Sequence, residues 1–184
     1  LEPGRFAGQI IRDEMDGQAR VIILDFPDRQ DIIERANGLE AGLLEFAPDA
    51  TLVGRYKGAT REFGRASIEA LLADGVEFDV ILSINDAGAF GAVEAMEAAG
   101  IDPSSVLISS IDAEARARDY IQQGYYFRGS LESARTEVAI TLVDSMVKLL
   151  AGSTVAENFV IPAGRMVTAA TLAESATPAP ASPG

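Results

Sequence analysis

Two short polar residues, Asn85 and Asp86, stand where an apolar run, Val80 to Ile84, gives way to a stretch rich in alanine and glycine. Polar side chains at the carboxyl end of a buried parallel strand point into the crevice in which open α/β sheets hold ligands. The carboxamide of Asn85 offers a donor and an acceptor together, which suits a neutral polyol. Asp86 is placed to cap the helix that follows. A second carboxylate, Asp112, closes the next apolar run, one βα unit further on. Polar residues at successive strand ends share one crevice, and this is the pattern of a ligand binder. Bracing is the competing use, because Asn and Asp also stabilise strand-to-helix turns by bonding local backbone.

Phe26 and Arg29 follow the first apolar run, Val21 to Leu24. The ring suits stacking on the apolar face of a sugar, with core or hinge packing as the alternative. Arg29 and Asp28 have the reach to meet a ligand, with a solvated loop pair as the plainer reading. Gly4 and Gly8 are too closely spaced for a phosphate loop and lack its Lys-Thr. The spacing of Gly88, Gly91, Ala92 and Ala95 predicts close packing of a helix on the sheet. Tyr125, Tyr126 and Phe127 read as a buried strand or as a covered surface.

The inventory narrows the chemistry. The chain has no cysteine, so it has no disulfide, thiolate nucleophile or cysteine metal site, and it has no histidine, the commonest general base and metal ligand. No carboxylate pair has a spacing that demands acid–base catalysis. A binding protein needing neither cofactor nor metal is expected, not an enzyme. Fifteen basic against 28 acidic residues give a net charge of −13, which repels phosphate backbones and argues against nucleic-acid binding by this segment. No run of apolar residues is long enough to span a membrane. Residues 1–20 lack the pattern of a signal peptide, so export is not expected to be encoded within them.

Short β-branched runs alternate with longer helical stretches, the signature of βαβ units around a parallel sheet. Strands are expected at Val21–Leu24, Thr51–Tyr56, Val80–Ile84, Val106–Ile111 and Tyr126–Leu131. Helices are expected at Gln9–Met15, Asp31–Phe46, Arg61–Ala73, Ala87–Ala99, Ala113–Gln123 and Thr136–Ala151. In the second of these Ile32, Ala36, Leu39 and Leu43 share a face; in the third, Phe63, Ile68, Leu71 and Leu72 point inward. Phe159–Ile161 and Met166–Ala170 read as short extended pieces. Residues 173–184, poor in apolar bulk and rich in proline, read as a linker or disordered tail.

The segment around Asn85 resembles the Asn-Asp-x-x-Ala-x-Gly-Ala-x-x-Ala pattern of type I periplasmic binding proteins, the superfamily of sugar-binding ABC importer components and LacI-type effector domains. Further stretches are similar in the same order: Arg35-Ala-Asn-Gly38-Leu39, Ser110-Ile111-Asp112 with Ile121-x-x-Gly124, and Val160-x-Pro162 with Val167-Thr168. The resemblance spans roughly residues 5–172 and implies a doubly wound, flavodoxin-like α/β lobe. Family members close two such lobes on a small ligand. The match begins at the helix that opens the second lobe, so residues 1–172 are expected to form that lobe alone, a half-clamp, with a crossover helix at about 134–151.

What the resemblance implies is binding of a small polar solute, a sugar first, for an ABC importer, with Asn85 and Asp112 bonding sugar hydroxyls. Charge-assisted bonds to a carboxylate are the stronger kind. The sequence departs from the family at Ile33, where an arginine is common, and at Ser110, where a glycine is common. The polar residue near the last lobe strand falls at Ser130, Leu131 or Glu132. The alternatives are the sensing domain of a signalling receptor and a LacI-type transcriptional regulator. The first two imply a periplasmic or extracytoplasmic location, the regulator a cytoplasmic one. The face turned toward an absent lobe should be apolar and is expected to drive dimerisation through the helix at 136–151.

Overall fold

The apolar runs read from the sequence become the strands of one twisted sheet because β-branched residues on both faces bury against helices on both sides. The computed structural model describes residues 2–162 and 164–176. In chain order these form α1 (Glu2–Glu14), β1 (Arg20–Asp25), α2 (Gln30–Phe46), β2 (Thr51–Lys57), α3 (Arg61–Ala73), β3 (Val80–Ser83), α4 (Asp86–Ala98), β4 (Leu107–Asp112), α5 (Ala115–Gln123), β5 (Phe127–Glu132), α6 (Arg135–Leu150), β6 (Met166–Thr168) and α7 (Ala169–Ala176). The sheet order is β2-β1-β3-β4-β5-β6. The first five strands are parallel, and β6 pairs antiparallel with β5. This is the doubly wound α/β lobe expected.

Alternation along β1 divides the core in two. Val21 and Ile23 bury against α1 and α2, with Ala36, Leu39 and Leu43. Ile22 and Leu24 face α3 and α4, with Ile68, Phe90 and Val93. Full burial of each such side chain contributes roughly 1.5–3 kcal/mol. Small residues let helices approach closely. A Cβ on Gly88 would collide with the Gly58 carbonyl, and one on Gly91 with the Arg61 carbonyl. The two glycines thus pack closely against α3 and the loop before it, while Ala92 and Ala95 of the same spacing are buried in the core with Ile22, Ile81 and Ile108 of the sheet. Gly4 likewise lies against the Leu39 carbonyl, so the Gly4–Gly8 pair is a helix–helix contact between α1 and α2.

Several expectations need correction. Helix α1 starts at Glu2 instead of Gln9, because Pro3 is tolerated in a first turn that has no carbonyl partner to lose. Phe63 is exposed, since it sits in the first turn of α3, beyond the carboxyl edge of the sheet. Phe159–Ile161 forms no strand. The last extended piece stops at Thr168, which exchanges bonds with Thr171 at 2.8 and 3.3 Å and so starts α7. Residues 173–176, expected in the tail, are helical in this alanine-rich stretch; residues 177–184 lie outside the described residues.

Helix α6 differs from the rest. None of its residues is buried, and Leu142, Val143 and Met146 are each about 60% exposed. The chain then returns to the same strand end it left. The Glu132 N–H donates to the Arg165 carbonyl at 3.0 Å, and the Gly164 N–H donates to the Glu132 carbonyl at 2.9 Å.

Candidate functional site

The carboxyl ends of β1, β3, β4 and β5 lie side by side; Asp112 and Glu132 are the last residues of β4 and β5, and Phe26 and Asn85 follow the ends of β1 and β3. Asn85 is the N-cap of α4: its Oδ1 accepts from the Gly88 N–H at 2.9 Å. Its Nδ2 donates to the Ala59 carbonyl at 2.7 Å. One donor and one acceptor of the carboxamide remain for other partners. Capping by Asp86 is thus corrected, because its neighbour holds that position.

Asp86 instead turns inward and is fully buried. Its Oδ1 accepts from the hydroxyls of Ser110 and, at 2.7 Å, Ser130. Its Oδ2 accepts from the Glu114 N–H at 2.7 Å. Burial pushes its carboxyl up to about 6, against the hydrogen bonds from Ser110, Glu114 and Ser130, and nearby Asp112 pushes the same way. One side chain thereby ties the start of α4 to β4 and β5. Ser110 lies opposite Ser130 in the parallel ladder, and two residues on, Asp112 lies opposite Glu132. The ladder thus pairs two serines that bond Asp86 and, at its end, two carboxylates.

Asp112 is 15% exposed and lies 3.2 Å from the Arg135 guanidinium at the start of α6. Glu132 is held by Arg118 at 2.6 Å. Asp112, Glu132, Arg35 and Arg135 line one cavity of about 580 Å³, whose apolar wall includes Val138, Leu142 and Pro162. Arg35 also donates to the Ile84 carbonyl at 3.4 Å, next to Asn85. Asn85, Phe26 and Arg29 do not line this cavity.

Phe26 belongs to a separate group at the β1–β2 end. Its ring centre is 6.3 Å from that of Phe63. The Lys57 ammonium lies 5.2 Å from the Phe26 ring centre and 4.4 Å from that of Phe63. The same ammonium pairs with Asp28 at 2.6 Å, so Asp28 meets Lys57. Arg29 occupies the N-cap position of α2 without a capping bond from its side chain. Among the described residues no group of three or more acidic side chains is placed to hold a metal ion.

Sequence reasoning missed the buried role of Asp86 and the part of Arg118. The available signal was Ser109-Ser110 and Ser130 inside otherwise apolar strands, since a hydroxyl in a buried strand requires a partner.

A family model described as a periplasmic binding protein domain matches residues 1–154. The chain belongs to this family. Within it, the chain is 35% identical over 103 residues to a putative rhizopine-binding protein of Rhizobium meliloti, a match covering 56% of this chain and 33% of that one. A structure from Mycobacterium smegmatis in complex with β-D-fucofuranose has a TM-score of 0.80 at 28% identity, over 95% of this chain and 58% of that one. The binding protein of the arabinose ABC transporter of Shewanella sp. ANA-3, bound to L-arabinofuranose, has a TM-score of 0.78 at 26% identity, over 95% and 58%. The chain thus spans about a third of the matched curated relative and under three fifths of these two structures. The fold described above is shared with both.

Proposed function

We propose that this chain is one lobe, residues 1–172, of a solute-binding protein that captures a small polyhydroxylated ligand, a sugar or cyclitol, outside the cytoplasmic membrane for an ABC importer. One observation carries the reading: Asp112 and Glu132 stand opposite each other at adjacent strand ends and face a common cavity beside Arg35 and Arg135. Carboxylates accept and guanidiniums donate, so vicinal hydroxyls, each both donor and acceptor, satisfy the two kinds of group together. The free donor and acceptor of Asn85 extend this polar surface along the strand ends, with Phe26 and Arg29 at its far side. The sugars named in the complexes of the related structures support the same class.

In this reading a second lobe closes over the crevice, and the membrane subunits recognise the closed form. Ligand shifts that equilibrium only by its differential affinity for closure. The lobe alone supplies part of the contacts and binds weakly. Titration of the isotopically labelled chain with L-arabinose and myo-inositol tests this. Millimolar perturbations at Asn85, Asp112 and Glu132 are expected. Sub-micromolar affinity from a monomer overturns the half-clamp, and perturbations confined to other residues overturn the site.

The exposed apolar side of α6 supports a second element of the proposal, dimerisation through that helix. Light scattering should show a mass that rises with concentration; a strict monomer at high concentration contradicts it.

A further inference from the structure

At the end of β4 two consecutive residues other than glycine have positive φ: Asp112 at 121° and Ala113 at 48°. A Cβ is crowded in both conformations, and such strain persists only where the surroundings over-determine it. Here they do so from three elements. The Ala113 N–H donates to Ser130 Oγ at 2.9 Å, and that hydroxyl donates in turn to Asp86. The next amide, Glu114 N–H, donates to the other oxygen of Asp86 at 2.7 Å. From α5, Arg118 Nε donates to the Ala113 carbonyl at 2.8 Å, while its Nη2 holds Glu132 at 2.6 Å. Asp86 and Ser130 are fully buried and Ala113 nearly so, which shields these bonds from competing water.

We propose that Asp86, Ser130 and Arg118 are positioning residues that lock the Asp112–Ala113 turn in its strained form and so aim the Asp112 carboxylate into the crevice before any ligand arrives. Relaxation of the turn would swing Asp112 away from Glu132, whereas the single guanidinium of Arg118 fixes both carboxylate-bearing ends at once. Preorganisation of this kind removes an ordering cost from capture. The purpose assigned to the turn rests on the proposed binding of polyols at Asp112, but the lock itself does not.

The test measures amide-to-Hα scalar couplings of Asp112 and Ala113 in the whole labelled chain. Ser130→Ala removes the hydroxyl at the centre of the relay. It is expected to move both couplings toward those of ordinary negative φ, with smaller changes elsewhere, and Ser130→Thr to restore them. Native couplings in Ser130→Ala overturn the lock. Ala113→Gly keeps the fold and removes one Cβ from a left-handed position, so the melting temperature should rise; a fall overturns the strain. If the variants behave as expected but titrated myo-inositol and L-arabinose leave the Asp112 amide unmoved, the lock stands and the polyol reading fails.

Discussion

The Arg135 guanidinium sits 3.2 Å from the Asp112 carboxylate, so the first residue of α6 is tied directly to the end of β4. Arg135 also reaches Glu114 at 3.5 Å, and the three charges form a small open cluster at the mouth of the cavity. The pair links the candidate ligand carboxylate to α6, in which no residue is buried.

Because Arg135 is 60% exposed, Arg135→Ala should change stability by no more than about 1 kcal/mol in urea unfolding. Loss of several kcal/mol would mean that the ion pair holds the fold and not only the local geometry.

Removal of Asp86 should be far costlier. Asp86→Ala leaves the Glu114 amide and two serine hydroxyls without their acceptor in a buried site, a loss of roughly 2–4 kcal/mol. Asp86→Asn, which keeps one acceptor oxygen, should fall between this and the native chain when the three are compared by chemical denaturation.

The same residue sets a pH dependence. The carboxyl of Asp86 is pushed up to about 6 in the fold, so the folded chain holds that proton more tightly than the unfolded one. Its stabilising contribution is complete below the ordinary carboxylate range and is lost as pH rises through about 6, at most roughly 3 kcal/mol across that window. Asp79 acts in the opposite sense. Hydrogen bonds from Arg20 lower its carboxyl, and its contribution is lost only at more acidic pH. Stability measured from pH 7.5 down to 5 should therefore rise, and Asp86→Asn should flatten the slope. A native chain that is most stable at pH 7.5 would contradict this assignment.

Much of this architecture was legible from residue patterns, for reasons visible in particular places. Val21 to Leu24, apolar without a break, announced a strand buried on both faces, and the alternation with helical stretches fixed a parallel sheet. Asp112 was legible as a strand-end carboxylate, and the structure adds its neighbours Glu132, Arg35 and Arg135. Side-chain destinations were less legible. Asn85 and Asp86 are adjacent and both favour caps, and only the long-range partners Ser110 and Ser130 draw Asp86 inward. Helical spacing alone turns Phe63 inward, but a first-turn residue at the sheet's end meets Lys57 and Phe26 instead. Separations of 24 and 44 residues, as between Asp86 and its two serines, leave no local trace.

Tight helix contact gives a further test. Gly88→Ala would drive a methyl group into the Gly58 carbonyl, which is backbone and cannot rotate aside. A loss of roughly 1–3 kcal/mol is expected, read as a lower denaturation midpoint with an unchanged slope.

The apolar face of α6 yields the converse expectation. Leu142→Glu with Met146→Glu should abolish any concentration-dependent association without lowering the unfolding midpoint, since neither side chain is buried in the single chain. Association that survives both changes would place the contact elsewhere.

Glu132 bonds through both its N–H and its carbonyl to the segment that comes back after α6. Outgoing and incoming passes are thus riveted at a single point, beside the carboxylate of that same residue. The proposed second lobe, were it to pack on α6, would pivot about this rivet, so leverage and the proposed ligand chemistry would meet within one amino acid. Motion at the joint could not occur without being felt by the carboxylates proposed to hold the solute.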